Sequence, residues 1–275
     1  MRLPCRRTTR DPLVQALLSK YNINLLSVPR MNADVYDVYL GDGDKLSSPS
    51  RLSEMLRFGS KLPKVIRDED FRLPEEQFSS TVSVSVVGEI FGGILKAFGV
   101  TDSPAAFSER LSAAGKSNFR LKFVNVTRDY VSPAGLHSVL ATAHASREAT
   151  DFIGKATLYI TIGVVRAKGV EIMIVDETSR DAILSAGVEV AGKELAKLGG
   201  RASASRTEQG RLGFKTVEPI AFGIELAIGH LKEGRLLLTR ESPGRARALR
   251  VKSDSEISSV YVGKADGSAF ISISG

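Results

Sequence analysis

The sequence predicts an α+β protein built on a twisted central antiparallel sheet with peripheral helices. Three observations carry this expectation. Apolar and polar residues alternate in several separate runs, as in strands with one buried face. Helix start signals, a small polar residue followed by proline, recur between those runs. The strands follow one another through hairpins or short helices, without the regular strand and helix rhythm of a doubly wound sheet. The chain has 275 residues, 43% hydrophobic and 25% charged, which is enough to bury a substantial core.

Asp11 and Pro12 start a helix carried by Leu13, Val14, Leu17, Leu18 and Tyr21, and Asn22 ends it. Ile23–Val28 reads as a short strand stopped by Pro29. Asn32–Leu40 alternates weakly, and Gly41–Asp44 reads as a turn. Ser50–Phe58 forms a short helix with Leu52, Met55 and Leu56 inward. Lys61–Gln77 is charged and broken by Pro63 and Pro74.

Thr81–Val100 opens with strict alternation, Val82, Val84 and Val86 against Ser83 and Ser85. It runs on through Gly88, Glu89, Gly92 and Gly93, past the length an ordinary strand needs. Glu89 near its middle argues against a membrane-spanning helix. The segment reads as a one-sided strand built to lengthen. The plainer alternative is a buried strand followed by a short helix over Phe91–Phe98.

Asp102, Ser103 and Pro104 begin a helix that ends near Ala114. Phe119–Val126 is a strand, with Phe119, Leu121 and Phe123 alternating with Arg120 and Lys122. Ser132 and Pro133 start a helix reaching about Ala145. Ala156–Val165, marked by Leu158, Ile160, Ile162 and Val164, pairs with Val170–Val175 as a hairpin turning at Arg166–Gly169. Its first arm is apolar on both sides, which suits a buried central strand. Thr178–Leu198 is a helix ended by Gly199 and Gly200. Arg201–Gly210 is small, polar and basic, and reads as a mobile loop. Phe214–Ile220 and Phe222–Ile228 are strands parted by Pro219, and Gly229–Gly234 turns into a last arm over Arg235–Thr239. Arg240–Arg250 is a linker by composition, and Ser259–Val262 and Ala269–Ile273 are short strands beyond it.

The formal net charge of +7 suits an anionic partner, nucleic acid or acidic lipid, or no partner in particular. Arg2, Arg6, Arg7 and Arg10 crowd one end, and Arg240, Arg245, Arg247 and Arg250 crowd the linker. Absence of tryptophan argues against base-stacking surfaces. No stretch is long and apolar enough for a transmembrane helix, and MRLPCRRTTR lacks the apolar segment of a secretory signal. Cytoplasmic residence is the expectation. The single cysteine, Cys5, excludes a disulfide within the chain. It stands among arginines, where an acyl chain and a polybasic patch would together make a firm membrane anchor.

Catalytic and metal chemistry find no support. Gly115, Lys116 and Ser117 resemble the end of a phosphate loop, but Arg110 stands where its first glycine belongs. His137, His144 and His230 lack companion ligands at metal-binding spacing. Neither an enzyme, a metal nor a dissociable cofactor is expected.

The ordered set of features carries more than any one of them. Cys5 comes first, then Asp11-Pro12-Leu13 and an amphipathic helix into Tyr21-Asn22. Two groups of long one-sided strands with basic polar faces follow, then a loop and a short tail. This organisation resembles the bacterial gasdermins over the whole chain, and it implies a gasdermin N-domain-like sheet. By that resemblance residues 1–239 are the pore-forming domain, 240–250 a protease-sensitive loop and 251–275 an autoinhibitory peptide. Cys5 would carry a palmitoyl group whose chain rests in an apolar pocket. A trypsin-like or caspase-like protease would cut at Arg245, Arg247, Arg250 or Asp254. Thr81–Val126, with Val82, Val84, Val86, Phe119, Leu121 and Phe123, and Ala156–Val175, with Ile160 and Ile162, would become membrane hairpins. The implied protein is a cytoplasmic monomer at rest. After cleavage it is a homo-oligomeric β-barrel pore in lipids of the inner membrane, killing a phage-infected cell, with no nucleic-acid partner. Two other readings stand beside it: a basic α+β nucleic-acid-binding protein, and an assembly protein that forms rings by edge pairing.

Overall fold

The apolar run from Leu158 to Val165 becomes part of the strand about which the sheet is arranged, and the alternation at Phe119–Phe123 becomes part of a strand paired to it. The computed structural model describes residues 17, 21–42, 45–47, 50–73, 84–97, 119–153, 157–175, 181, 184, 185, 188, 189, 192, 195, 200–207, 210–232, 234–238 and 270–273. In chain order its elements begin with β1 (Asn24–Arg30), β2 (Asp37–Asp42), β3 (Lys45–Leu46), β4 (Ser50–Arg51), α1 (Leu52–Met55), β5 (Leu56–Arg57) and β6 (Ile66–Asp68). Next come α2 (Val84–Ala97), β7 (Phe119–Tyr130), α3 (Pro133–Leu140), β8 (His144–Ala145), α4 (Arg147–Ile153) and β9 (Thr157–Ile174). The last are β10 (Ala202–Arg206), β11 (Leu212–Lys232), β12 (Arg235–Leu238) and β13 (Phe270–Ile273).

One sheet holds all the described strands in the order β5, β8, β12, β11, β1, β13, β3, β2, β9, β7, β6, with β10 on β11 and β4 on β2. The pairs are antiparallel except at β13, which runs parallel to both β1 and β3. β9 also pairs with β11 from Leu158↔Gly229 to Ile172↔Leu212. The path from β11 through β1, β13, β3, β2 and β9 therefore returns to β11. The sheet is closed on itself along that circuit.

β7 shows the expected alternation: Phe119, Leu121 and Phe123 are buried, and Arg120 and Lys122 are exposed. β9 is buried on both faces along its first half, as its apolar run requires. The hairpin expected within Ala156–Val175 is absent, because β9 is one continuous strand of 18 residues. Arg166–Gly169 is no turn: Ala167 pairs with Val126 on one side and Ile220 on the other. The strands expected to part at Pro219 are likewise one strand, β11, whose register slips between Lys215 and Ile220. A proline without an N–H is accommodated where the ladder is already broken. The same holds for Pro29, which does not stop β1 but falls within its register shift between Leu25 and Arg30. The loop expected at Arg201–Gly210 contains β10, paired with β11 from Ala202↔Thr216 to Arg206↔Leu212.

The largest departure lies at Thr81–Val100. Its described part is the helix α2, not a strand. Val87, Ile90 and Ile94 recur at helical spacing and are buried, and this 3.6-residue period prevails over the Val-Ser alternation before it. The plainer alternative also started its helix too late, at Phe91 instead of Val84. α2 lies on β1 and β7. Gly93 lets it approach: a Cβ there would overlap the Ser27 carbonyl oxygen and stand 2.9 Å from Pro29 Cδ.

The remaining helices are modest. α1 is a single turn between two short strands, instead of the expected helix over Ser50–Phe58. Its Glu54 reaches back to accept the Arg51 N–H at 3.0 Å, which satisfies one donor at the helix start. Ser132 caps α3, accepting the Gly135 N–H at 3.3 Å, and Pro133 opens its first turn as anticipated. α3 ends at Leu140, short of Ala145, which belongs to β8. Positions 17 and 21 are helical, and Asn22 follows with φ of 56°, the left-handed conformation of a helix end.

Buried residues form two cores that divide β9 between Val164 and Val165. The first joins α2, Phe119, Leu121 and Phe123 of β7, the second half of β9 and the first half of β11. The second joins the first half of β9 and the later half of β11 with α1, α3, α4 and β2.

Candidate functional site

The long strands are held together by apolar packing under α2 and by charged pairs that cross between strands. Phe119, Leu121 and Phe123 face the first core, under α2. Phe123 stacks on Phe222 of β11, ring centroids 3.8 Å apart. Ile90 and Ile94 of α2 join Phe123, Val170, Phe214, Ile220 and Phe222 around a small, mainly apolar cavity of about 20 Å³ that Thr216 also lines. Ile160 and Ile162 lie in the second core, so the structure does not bring them together with the β7 residues. Val84 and Val86 belong to α2, and their side chains are not among those described. Cys5, Val82, Arg245, Arg247, Arg250 and Asp254 lie outside the described residues.

Charged side chains meet where the two cores adjoin. Glu225 of β11 is 4% exposed and stands beside Gly163 of β9 in register. Arg128 of β7 reaches it across β9, donating from Nε at 2.6 Å and Nη2 at 2.7 Å. Gly163 makes this crossing geometrically feasible, since a Cβ there would stand 2.6 Å from Glu225 Oε1. Burial pushes the Glu225 carboxyl above its ordinary value, while the Arg128 fork favours the charged form. The Arg128 guanidinium also lies 4.5 Å from the Tyr130 ring centroid.

A second set lies one residue further along β7. Asp129 accepts from Arg67 of β6 at 2.8 and 3.1 Å, and from Arg166 of β9. Arg166 continues to Asp34 at 3.1 Å and to the Ala33 carbonyl oxygen. Asp34 in turn accepts from Arg51 of β4 at 2.7 Å. The set ties β6, β7, β9, β4 and the turn before β2. The Arg67 hydrogen bonds, then the Arg166 charge, hold the Asp129 carboxyl below its usual 3.8. A lowered folded value means stability that is present above 3.8 and lost as pH falls through the folded value. Glu225 titrates with the opposite sign, so Asp129→Asn isolates the effect. Denaturation midpoints followed from neutral pH toward about pH 1 are expected to fall less steeply in Asp129→Asn than in the parent. Parallel acid limbs in the two proteins would contradict this assignment.

Sequence inspection misses both sets. Its only local signals are a lone Glu225 and Gly163 within apolar runs, and an arginine, Arg166, in what resembles a turn.

β13 completes the site. Phe270 pairs with Leu25 and Ile271 with Leu26 on β1, while Ser272 pairs with Lys45 and Ile273 with Leu46 on β3. Its neighbours are held from their far sides, β1 by β11 and β3 by β2. None of the described helices is long and apolar enough to cross a membrane, which says nothing of strands. Among the described residues no cluster of three or more His, Cys, Asp or Glu could hold a metal ion.

Long paired strands, a helix on their apolar face and a tail strand taken into the sheet define a sheet-dominated α+β protein with a self-inserted C-terminus. The chain belongs to the bacterial gasdermin family, whose model matches residues 26–234. Among solved structures it is similar to a bacterial gasdermin from Bradyrhizobium tropiciagri, at 22% identity and a TM-score of 0.61. That match covers 96% of this chain and 97% of the other. A comparison with curated proteins gave no match. Membership of this family supports a pore-forming role.

Proposed function

We propose that this chain is a latent pore-former kept silent by its own C-terminal strand. The observation that carries this reading is the position of β13, which closes the circuit containing β9 and β11. Strands that are to cross a bilayer must lengthen, tilt and pair with copies of themselves. β9 and β11 cannot part from the rest of the sheet while that circuit is closed. A protease acting at Arg245, Arg247, Arg250 or Asp254 separates the stretch that carries β13 from the rest of the chain. The freed chain then assembles with other copies into a β-barrel in the inner membrane and kills the cell, as an antiphage defence. Before the cut it is a cytoplasmic monomer.

The first membrane hairpin joins β7, as far as Val126, to the segment around α2, which must refold from helix to strand. The second joins the later half of β9 to β10 and the first half of β11, instead of lying within Ala156–Val175. These antiparallel neighbours already pair, and the chain between them supplies the length. The alternation of Phe119, Leu121 and Phe123 with Arg120 and Lys122 gives one lipid face and one aqueous face. Cys5 carries a palmitoyl group that anchors the active form.

Dye-loaded vesicles of anionic lipid test this reading. Chain cut between residues 240 and 250 should release dye, and intact chain should not. In cells, Cys5→Ala should weaken killing by the cut form by about tenfold or more, since one of two anchoring signals is gone. Equal leakage from cut and intact chain would overturn the reading.

A further inference from the structure

We infer that Phe71 is a positioning residue that couples the helix ending at Asn22 to the Arg128–Glu225 pair, through Tyr21 on one side and Arg128 on the other. This rests on the pore-forming reading above and adds to it a way for membrane contact near one end of the chain to reach the sheet. Glu225, Gly163 and Tyr130 stand in one row across β11, β9 and β7. Arg128 crosses to Glu225 over Gly163 with two short hydrogen bonds. Its guanidinium lies over two rings, 4.5 Å from the Tyr130 centroid and 5.4 Å from the Phe71 centroid. Both distances are within reach of a cation–π attraction. Tyr130 is fixed in β7, but Phe71 comes from the segment after β6 and belongs to no strand or helix. Its place therefore depends on what packs against it. Tyr21 does so edge to face, with ring centroids 5.8 Å apart and planes at 84°. Tyr21 shares its helix with Leu17, which is fully buried in the first core.

Contacts thus run without a gap from Tyr21 through Phe71 and Arg128 to Glu225 of β11. Arg128 stands just beyond Val126, where the first hairpin ends, so the pair pins β7 at the point about which that hairpin must turn. A forked ion pair tolerates little change of angle, and turning there strains it. The pair is therefore a brake on the hairpin. Phe71 strengthens the brake by keeping water from one side of the guanidinium, because a drier pair is a stronger one. Arg2, Arg6, Arg7 and Arg10 precede the helix and draw it toward anionic lipid. When the helix leaves the sheet, Tyr21 leaves Phe71, Phe71 loses its support, and water reaches Arg128. A cut chain in solution keeps the brake on, and a cut chain at a membrane releases it. Linkage makes the coupling reciprocal, so weakening the pair also loosens the helix.

The first test needs no membrane and uses the intact chain. The Ile23 N–H, which donates to the Leu17 carbonyl oxygen at 3.1 Å, reports on the helix end. Glu225→Gln is expected to speed hydrogen exchange at that amide about fivefold in the parent and to leave it unchanged in a Phe71→Leu background. Unchanged exchange in the parent, or equal acceleration in both backgrounds, would overturn the coupling. The second test uses the full chain with a specific protease sequence placed within 240–250, cut and added to dye-loaded anionic vesicles. Tyr21→Leu is expected to speed dye release about fivefold, and Tyr21→Phe, which keeps the ring, to release at the parent rate. Tyr21→Leu is expected to add nothing once Phe71→Leu is present, whereas two independent packing defects would multiply. Multiplied effects, or equal acceleration by Tyr21→Phe and Tyr21→Leu, would overturn the role of Phe71. No dye release from the cut parent would remove the pore-forming reading instead, and the exchange result would still decide the coupling.

Discussion

Replacing Glu225 by alanine is expected to lower folding stability by about 3 kcal/mol. The change removes one partner of a buried pair and leaves the other charged. Arg128 would keep its place across β9, held by Tyr130, but with nothing to accept its two short hydrogen bonds. The figure sits at the low end for broken buried pairs, because the Arg128 side chain is 26% exposed and water reaches it in part. Glu225→Gln keeps the shape and one acceptor, and should cost roughly 1 kcal/mol. Glu225→Leu with Arg128→Met should recover most of the loss, since an apolar pair of similar volume avoids the desolvation of two charges. Urea denaturation measured on all three separates these outcomes. An alanine variant within about 0.5 kcal/mol of the parent would show that the pair holds nothing together.

Deleting residues 270–275 is expected to make the intact chain leak vesicles without any protease. The deletion removes every register pair that β13 makes with β1 and β3. At roughly 1 kcal/mol net for each backbone hydrogen bond, the seated strand contributes about 3 kcal/mol to the closed form. Losing it raises the open fraction about a hundredfold. The rest of the tail, 251–269, remains attached in this variant. Silence of the deleted chain would move the inhibitory contact out of β13 and into that upstream stretch.

Much of the sheet was legible in residue order, for physical reasons that differ by strand. β7 declares itself because its buried and exposed sides alternate without exception from Phe119 to Phe123. The first half of β9 declares its central place by being apolar on both faces. The tail strand is legible as a strand from Ala269–Ile273, but its neighbours are not, since pairing with β1 reaches across most of the chain. α2 misleads because the Val-Ser alternation from Val82 to Val86 runs straight into the helical spacing of Val87, Ile90 and Ile94. Arg166 misleads for a nonlocal reason. A charged residue beside Ala-Lys-Gly looks like a turn, yet Asp129 and Asp34 neutralise it inside the sheet. Glu225 finds Arg128 at a separation of 97 residues, which no local pattern encodes. The charged sets fall where the two cores adjoin, beyond Val126 on β7 and near the middle of β9 and β11. They belong to the folded arrangement of the chain, and sequence periodicity carries no trace of them.

A reversible staple across the tail strand tests the central claim most directly. Leu25→Cys with Phe270→Cys places two thiols on residues that face each other in register between β1 and β13. The doubly substituted chain is oxidised, cut within 240–250 and added to dye-loaded anionic vesicles, with and without reductant. The account predicts silence while the disulfide holds and dye release once it is reduced, from one and the same cut preparation. Release at full rate with the disulfide verified intact would contradict it.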